Sequence, residues 1–124
     1  MSVVLGQKNR KLIRDITIKD ADDGIITPGA NDVVRIKVGR RGDAPLLDLD
    51  SAAASANGST VSKNTPSAGV NRVAIMQADM NLLAPGIYTF EVSLVDNADA
   101  QAIKHVDFQI MIVQAPQLGD IGMV

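Results

Sequence analysis

The sequence predicts an all-β protein, an antiparallel β-sandwich of about seven strands. Three observations predict it. Apolar and polar side chains alternate along most segments, turn-forming residues separate those segments at short intervals, and one short stretch alone has a helical pattern. The segments are too short, and alternate too regularly, for a parallel sheet that is buried on both faces. A sandwich, in which one face of each strand enters a shared core, satisfies this pattern.

The strand pattern recurs in residues 12–18, 33–38, 46–49, 59–63, 72–76, 88–94 and 106–112. In the last two segments the even-numbered residues are apolar, and we expect them to face the core. A cross-strand pair of the two phenylalanines follows from that expectation. The residues expected to be buried are Tyr88, Phe90, Val92, Leu94, Val106, Phe108, Ile110 and Ile112.

The connections between these strands are of two kinds. Short clusters of Asp, Asn, Gly and Pro predict turns, and residues 77–83 predict one helical turn. Residues 51–69 are rich in Ser, Ala, Gly and Asn, which predicts a long loop or a weak edge strand. A loop of that length in a small domain is usually functional, mobile or ordered by a partner.

Composition excludes several classes of function. The chain has 124 residues, no cysteine, one histidine and 2% aromatic residues. Thiol catalysis, disulfides and cysteine or multi-histidine metal sites therefore lack their residues. A net charge of −2 argues against a basic nucleic-acid-binding surface, and no apolar run is long enough to span a membrane. We expect a non-enzymatic protein with no cofactor, no metal, no nucleic-acid partner and no membrane partner.

Three short motifs invite functional interpretations. The acidic turn of residues 20–24 resembles part of a calcium loop. However, Gly24 stands where an acidic or amide side chain is needed and Asn31 stands where a Glu is needed, so we predict a turn that caps its own backbone. His105 and Asp107 share a strand face, yet two ligands do not make a metal site. The tripeptide at residues 41–43 matches an integrin-binding motif and is interpreted as a polar turn.

Both ends of the chain carry apolar residues. Val3, Val4 and Leu5 precede a polar segment, and the C-terminal tail has Asp120 as its one charge, unlike solvated disordered tails. We therefore expect an N-terminal arm (residues 1–11), a sandwich domain (12–114) and a C-terminal arm (115–124), with the arms docking on other subunits. The expected assembly contacts are Val3, Val4, Leu5, Leu118, Ile121, Met123 and Val124.

The order of features resembles a known group of domains. A D-x-D-D-G turn (residues 20–24) precedes a V-V-R-I-K-V strand (33–38), and L-x-P-G-x-Y-x-F-x-V (83–92) leads into the last hairpin. This arrangement resembles the small immunoglobulin-like domains of tailed-phage virion proteins, over about residues 10–114. The resemblance implies an immunoglobulin-like sandwich in which the Gly and Tyr of the last motif shape a corner that enters a strand.

The resemblance also implies a function. The chain is expected to be a structural subunit of a phage particle, located in the virion after synthesis in the host cytoplasm. Because it lacks the extension that carries the further domains of baseplate proteins, a capsid decoration (cement) protein is favoured. Its expected partners are the major capsid protein or a tail protein, and its own copies. The alternatives are an adaptor of the baseplate, tail or fibre, and an adhesion or carbohydrate-binding module.

Overall fold

The computed structural model describes the backbone of residues 3–96 and 99–115, with side chains described except at 99–102. These residues form ten strands and one helical turn. The elements are β1 (Val3–Gln7), β2 (Leu12–Ile16), β3 (Ile18–Lys19), β4 (Ile25–Ile26), β5 (Asp32–Gly39), β6 (Leu47–Asp50), β7 (Thr60–Ser62), β8 (Asn71–Ile75), α1 (Gln77–Met80), β9 (Gly86–Asp96) and β10 (Asp99–Gln114).

Two sheets face each other. The first has the order β1-β10-β9-β5-β6 and the second the order β2-β8-β7, while β3 and β4 form a small hairpin. All pairings are antiparallel except β1 with β10. The immunoglobulin fold has its second, fifth and fourth strands in one sheet, where this chain has β2, β8 and β7. It has its third, sixth and seventh strands in the other, where this chain has β5, β9 and β10. The chain is therefore an immunoglobulin-like β-sandwich, as the sequence predicts.

The core is almost entirely aliphatic, as the scarcity of aromatic residues requires. The alternation predicted for β5 and β9 is confirmed, because the inward residues of both strands are buried. They pack against inward residues of β2, β3 and β8. The core residues from these strands are Ile16, Ile18, Val34, Ile36, Val38, Val73, Ile75, Tyr88, Phe90, Val92 and Leu94.

A corner precedes β9, as the resemblance implies. The hydroxyl of Tyr88 donates a hydrogen bond of 2.5 Å to the backbone carbonyl of Ala84, four residues upstream. This is the tyrosine corner of immunoglobulin domains, which fixes the chain where it enters β9, the sixth strand of that fold. Gly86, between the two, has φ +156°, a conformation that side chains disfavour.

The face assigned to β10 from the sequence is wrong. Its even-numbered residues Val106, Phe108 and Ile110 are exposed and Ile112 is half-buried, whereas Met111 and Val113 enter the core. The cause is the pairing register. Phe90 lies opposite Gln109 and Phe108 lies opposite Glu91, so the two phenylalanines point to opposite faces of the sheet. Alternation showed which residues share a face, but not which face the second sheet covers.

The prediction for the start of the chain is also corrected. Residues 1–11 were expected to form an arm outside the domain, but Val3–Gln7 is a strand of the main sheet, paired in parallel with Ile110–Gln114. Val4 is fully buried in the core and is unavailable as an assembly contact, whereas Val3 and Leu5 remain exposed. Five residues showed no clear period, so their membership of a sheet could not be read from the pattern.

The segment 51–69 is tied to its own domain by two polar anchors and contains β7. Asp79 is buried and accepts hydrogen bonds from the side chains of Ser55, Asn57 and Ser59. Burial alone would raise the pKa of Asp79, but these three hydrogen bonds outweigh it and hold the pKa below its ordinary value. The ammonium of Lys63 donates to three backbone carbonyls in residues 29–32. Order in this segment therefore needs no partner.

Candidate interaction surface

The outer face of the five-stranded sheet, which points away from the second sheet, carries a contiguous set of exposed apolar side chains. They come from β1, β9 and β10 and range from 38% to 68% exposed. We call this set the apolar stripe. Its members are Val3, Leu5, Ile87, Val106, Phe108 and Ile110. Single exposed apolar residues are ordinary, but a contiguous patch on a small domain marks an interaction surface.

The strand register assembles the stripe. Val3 lies beside Ile110, and Leu5 lies beside Ile112, which in turn lies opposite Ile87. Partners in a ladder share a face of the sheet, so these side chains form two neighbouring rows, one across two strands and one across three. Earlier in β10, the side chains of residues 103–108 are exposed on both faces of the sheet. The first half of β10 therefore extends beyond the core, and Phe108 stands on the outer face at this transition.

The other half of the same face is charged. On β5 and β6 the guanidinium of Arg35 forms a two-pronged salt bridge with Asp48, at 2.9 and 2.6 Å. The hydrogen bonds from Arg35 hold the pKa of the Asp48 carboxyl below its ordinary value. Lys37 and Glu91 lie opposite each other on β5 and β9. The sheet thus presents an apolar half and a charged half that meet along β9.

A groove lies where the two halves meet. The β5–β6 loop, residues 40–46, overhangs the outer face and closes one side of a cavity of about 570 Å³. Phe108 and Pro45 contribute its apolar part, and Gly42, with φ +87°, gives the loop its tight turn. The charged residues around it are Lys37, Arg40, Arg41, Asp43 and Glu91. This composition suits an extended peptide or a polar ligand with an apolar face.

Arg40 is partly committed to the fold. Its guanidinium carbon lies 5.4 Å from the centre of the Tyr88 ring, a cation–π distance that ties the loop to the corner. Neither Arg41 nor Lys37 has an ion pair with any residue that the structure describes. Arg41 is exposed whereas Lys37 is half-buried, so Arg41 is the more accessible of these two cations.

The three motifs weighed in the sequence adopt ordinary roles. One carboxylate oxygen of Asp20 accepts from the backbone N–H groups of Asp22 and Gly24, which confirms the self-capped turn. Arg40 and Asp43 close a backbone-bonded turn, as predicted for residues 41–43. His105 and Asp107 are both exposed. Within residues 3–96 and 99–115, no three metal-ligating side chains cluster.

The structure brings together only part of the predicted contact set. Val3 and Leu5 join the apolar stripe, Val4 is buried, and the other four predicted contacts lie outside the described residues. Those four are Leu118, Ile121, Met123 and Val124. Sequence reasoning missed Ile87, Val106, Phe108 and Ile110 as surface residues. The available signal was that β10 carries two apolar sets, since Met111 and Val113 supply a second candidate for the core face.

Comparisons with known proteins add little. No family model matches the chain, and no curated protein matches it. A solved structure that does match is the crystal structure of the ZIG-8–RIG-5 IG1–IG1 heterodimer in its monoclinic form, at 17% identity and a TM-score of 0.44. The match covers 90% of this chain and 81% of that one. Where the structure describes the chain, no helix has the length and apolar character needed to cross a membrane. The immunoglobulin-like assignment follows from strand order and the tyrosine corner.

Proposed function

We propose that the protein is a non-enzymatic structural subunit of a phage particle, a capsid decoration protein that docks on the major capsid protein through the outer face of its five-stranded sheet. The observation that carries the docking role is the apolar stripe. Six large apolar side chains on one face are costly to leave in water, at about 25 cal/mol per Å² of apolar area. The phage setting is supported by the sequence motifs of residues 20–24, 33–38 and 83–92.

The chemistry of the face supports a protein partner. An apolar centre beside a charged rim is the usual anatomy of protein–protein interfaces. Phe108 has the position of an anchor, because it is large, rigid and 55% exposed, and it belongs to both the stripe and the lining of the groove. The Arg35–Asp48 pair and Lys37 are placed to select a partner by charge at the rim.

A matched pair of variants tests the docking role. Phe108→Asp places a charge in the proposed interface, and Ile13→Asp places one on β2 in the other sheet, where Ile13 is also 55% exposed. Mass spectrometry of purified particles measures copy number for each variant against the wild type. We expect Phe108→Asp to lower incorporation by at least about tenfold, equivalent to about 1.4 kcal/mol, and Ile13→Asp to leave it unchanged. Equal incorporation of both variants would contradict docking through this face, and absence of the wild-type protein from particles would contradict the phage role.

One observation favours a second candidate, an adhesion or carbohydrate-binding module. The sequence predicted that all three aromatic side chains face the core. Phe108 is instead exposed at the groove, which Arg41, Asp43 and Glu91 also line. An aromatic ring bordered by hydrogen-bonding groups is a surface on which a sugar can stack. A glycan array separates the two candidates: binding that is lost in Phe108→Ala, together with absence from particles, would favour the module.

A further inference from the structure

The five-stranded sheet has two edges that differ in their protection. At one edge, β6 has Asp48 and Asp50 on alternate positions, and such charges discourage pairing with another chain. At the other edge, β1 has the sequence VVLGQ, with no charge and no proline. No strand within the described residues pairs with its outer side. Proteins usually protect an edge of this kind, so an unprotected one indicates a pairing site.

The direction of the hydrogen bonds identifies the free groups of β1. The backbone N–H of Lys8 donates to the carbonyl of Gln114, at 3.0 Å, so even-numbered residues direct their backbone groups toward β10. The backbone groups of Val3, Leu5 and Gln7 therefore point outward. The Gln7 carbonyl already accepts from Arg10. The other outward groups are available to a new strand.

We propose that β1 pairs antiparallel with β1 of a second copy of this chain, about a twofold axis at Leu5. In this register Leu5 lies opposite Leu5 of the second copy, and Val3 lies opposite Gln7. The outward-facing residues of one strand then meet the outward-facing residues of the other, as hydrogen-bonded pairs of an antiparallel ladder require. The two five-stranded sheets join into one sheet of ten strands.

Charge and side-chain placement both favour a second copy as the partner. A twofold axis sets each residue near its own image, so charges close to the axis would repel. Neither β1 nor its neighbour Ile110–Gln114 contains a charged residue. The side chains of Leu5, 58% exposed, would meet across the axis, and the apolar stripes of both copies would become continuous.

The size of the contact sets its strength. One strand pair and one side-chain row bury less than the roughly 1,200 Å² of a standard stable interface, so the expected dissociation constant is about 0.01–1 mM. The apolar stripe shares Val3 and Leu5 with this dimer, but the docking test acts at Phe108, beside the groove and outside β1. Dimerisation and docking can therefore fail separately.

Analytical ultracentrifugation of the full chain over that concentration range tests the proposal. Leu5→Lys would set two ammonium groups opposite each other and should weaken dimerisation by at least about tenfold. Ile13→Lys, at a similarly exposed site on edge strand β2, should not change it. Circular dichroism confirms that each variant folds. Since the chain lacks cysteine, Leu5→Cys carries a single thiol that a short bismaleimide should cross-link into dimers, with Ile13→Cys as the control.

Hydrogen exchange identifies other occupants of the edge. We expect the Leu5 amide to exchange fast in dilute protein and to become protected as concentration rises. Protection of that amide at every concentration, in a monomer, would mean that another segment of the same chain covers β1 and would overturn the proposal. A monomer at all concentrations, or equal effects of Leu5→Lys and Ile13→Lys, would overturn it as well.

Discussion

Replacing Asp79 with alanine should destabilise the domain more than a typical substitution does. The Asp79 carboxylate is 4% exposed and accepts hydrogen bonds from the hydroxyls of Ser55 and Ser59 and from the amide of Asn57. These bonds fix residues 55–59 against α1. Removal of the carboxylate leaves all three donors without their acceptor at once.

The magnitude follows from how far each donor lies from water. Ser59 is 1% exposed, and an unpaired buried hydroxyl costs about 1–3 kcal/mol. Ser55 is half-buried and Asn57 is exposed, so water can replace most of their loss, at about 0.5–1 kcal/mol together. We expect Asp79→Ala to lower the free energy of unfolding by about 2–4 kcal/mol. Asp79→Asn, which keeps the volume and one acceptor oxygen, should cost about 1–2 kcal/mol.

The pH dependence gives a second readout. The pKa of Asp79 is lowered in the folded protein, so its ionised form contributes stability that is present above the unfolded-state value of about 3.9. That contribution is lost as pH falls through the folded-state pKa. Asp79→Asn cannot titrate, so the difference in unfolding free energy between wild type and Asp79→Asn should narrow below about pH 4.

Urea denaturation, followed by circular dichroism from pH 7 to pH 3, measures both effects. Asp22→Asn is the control, because Asp22 is exposed and its side chain should matter by less than about 0.5 kcal/mol. Unfolding of Asp79→Ala within 0.5 kcal/mol of wild type would refute the reasoning from buried donors. A gap between wild type and Asp79→Asn that stays constant down to pH 3 would refute the role of the charge.

Three further substitutions test the tyrosine corner and the segment 51–69 by thermal unfolding. Gly86→Ala forces a side chain into φ +156° and should cost about 1 kcal/mol or more; an unchanged melting temperature would contradict that strain. Tyr88→Phe removes the corner hydrogen bond and should cost about 0.5–1.5 kcal/mol, and a variant as stable as wild type would show that the bond contributes nothing. Lys63→Met leaves three carbonyls without their donor and should cost about 1–3 kcal/mol, which a loss under 0.5 kcal/mol would disprove.

Local patterns predicted the elements of this fold better than their arrangement. The positions of β5, β8, β9 and α1 follow from apolar period and turn residues, because those signals act between near neighbours in sequence. The face of β10 depends on which side the second sheet occupies, a property of residues far away in the chain. The strand β1 depends on β10 for its pairing, so nothing within Val3–Gln7 could reveal it.

The candidate surface was harder to predict than the core for a related reason. A stripe such as Val3, Leu5 and Ile110 is recognised only when strands from opposite ends of the chain are set side by side. The sequence did indicate that the N-terminal residues are too apolar to remain solvated. We therefore predicted a docking arm at the N-terminus. In the structure Val4 is buried in the core of the domain, and Val3 and Leu5 remain at its surface.

The parallel pairing of the first and last strands has a mechanical consequence. Tension applied through Val3 and Gln114 pulls β1 and β10 in opposite directions along their shared ladder, because the two strands run the same way. The hydrogen bonds are then loaded in shear and must break together, whereas an antiparallel pair of terminal strands would open one bond at a time. Force spectroscopy with handles at the two chain ends should show a single high-force rupture, and gradual opening at low force would contradict this geometry. A domain built in this way resists tension along its own chain.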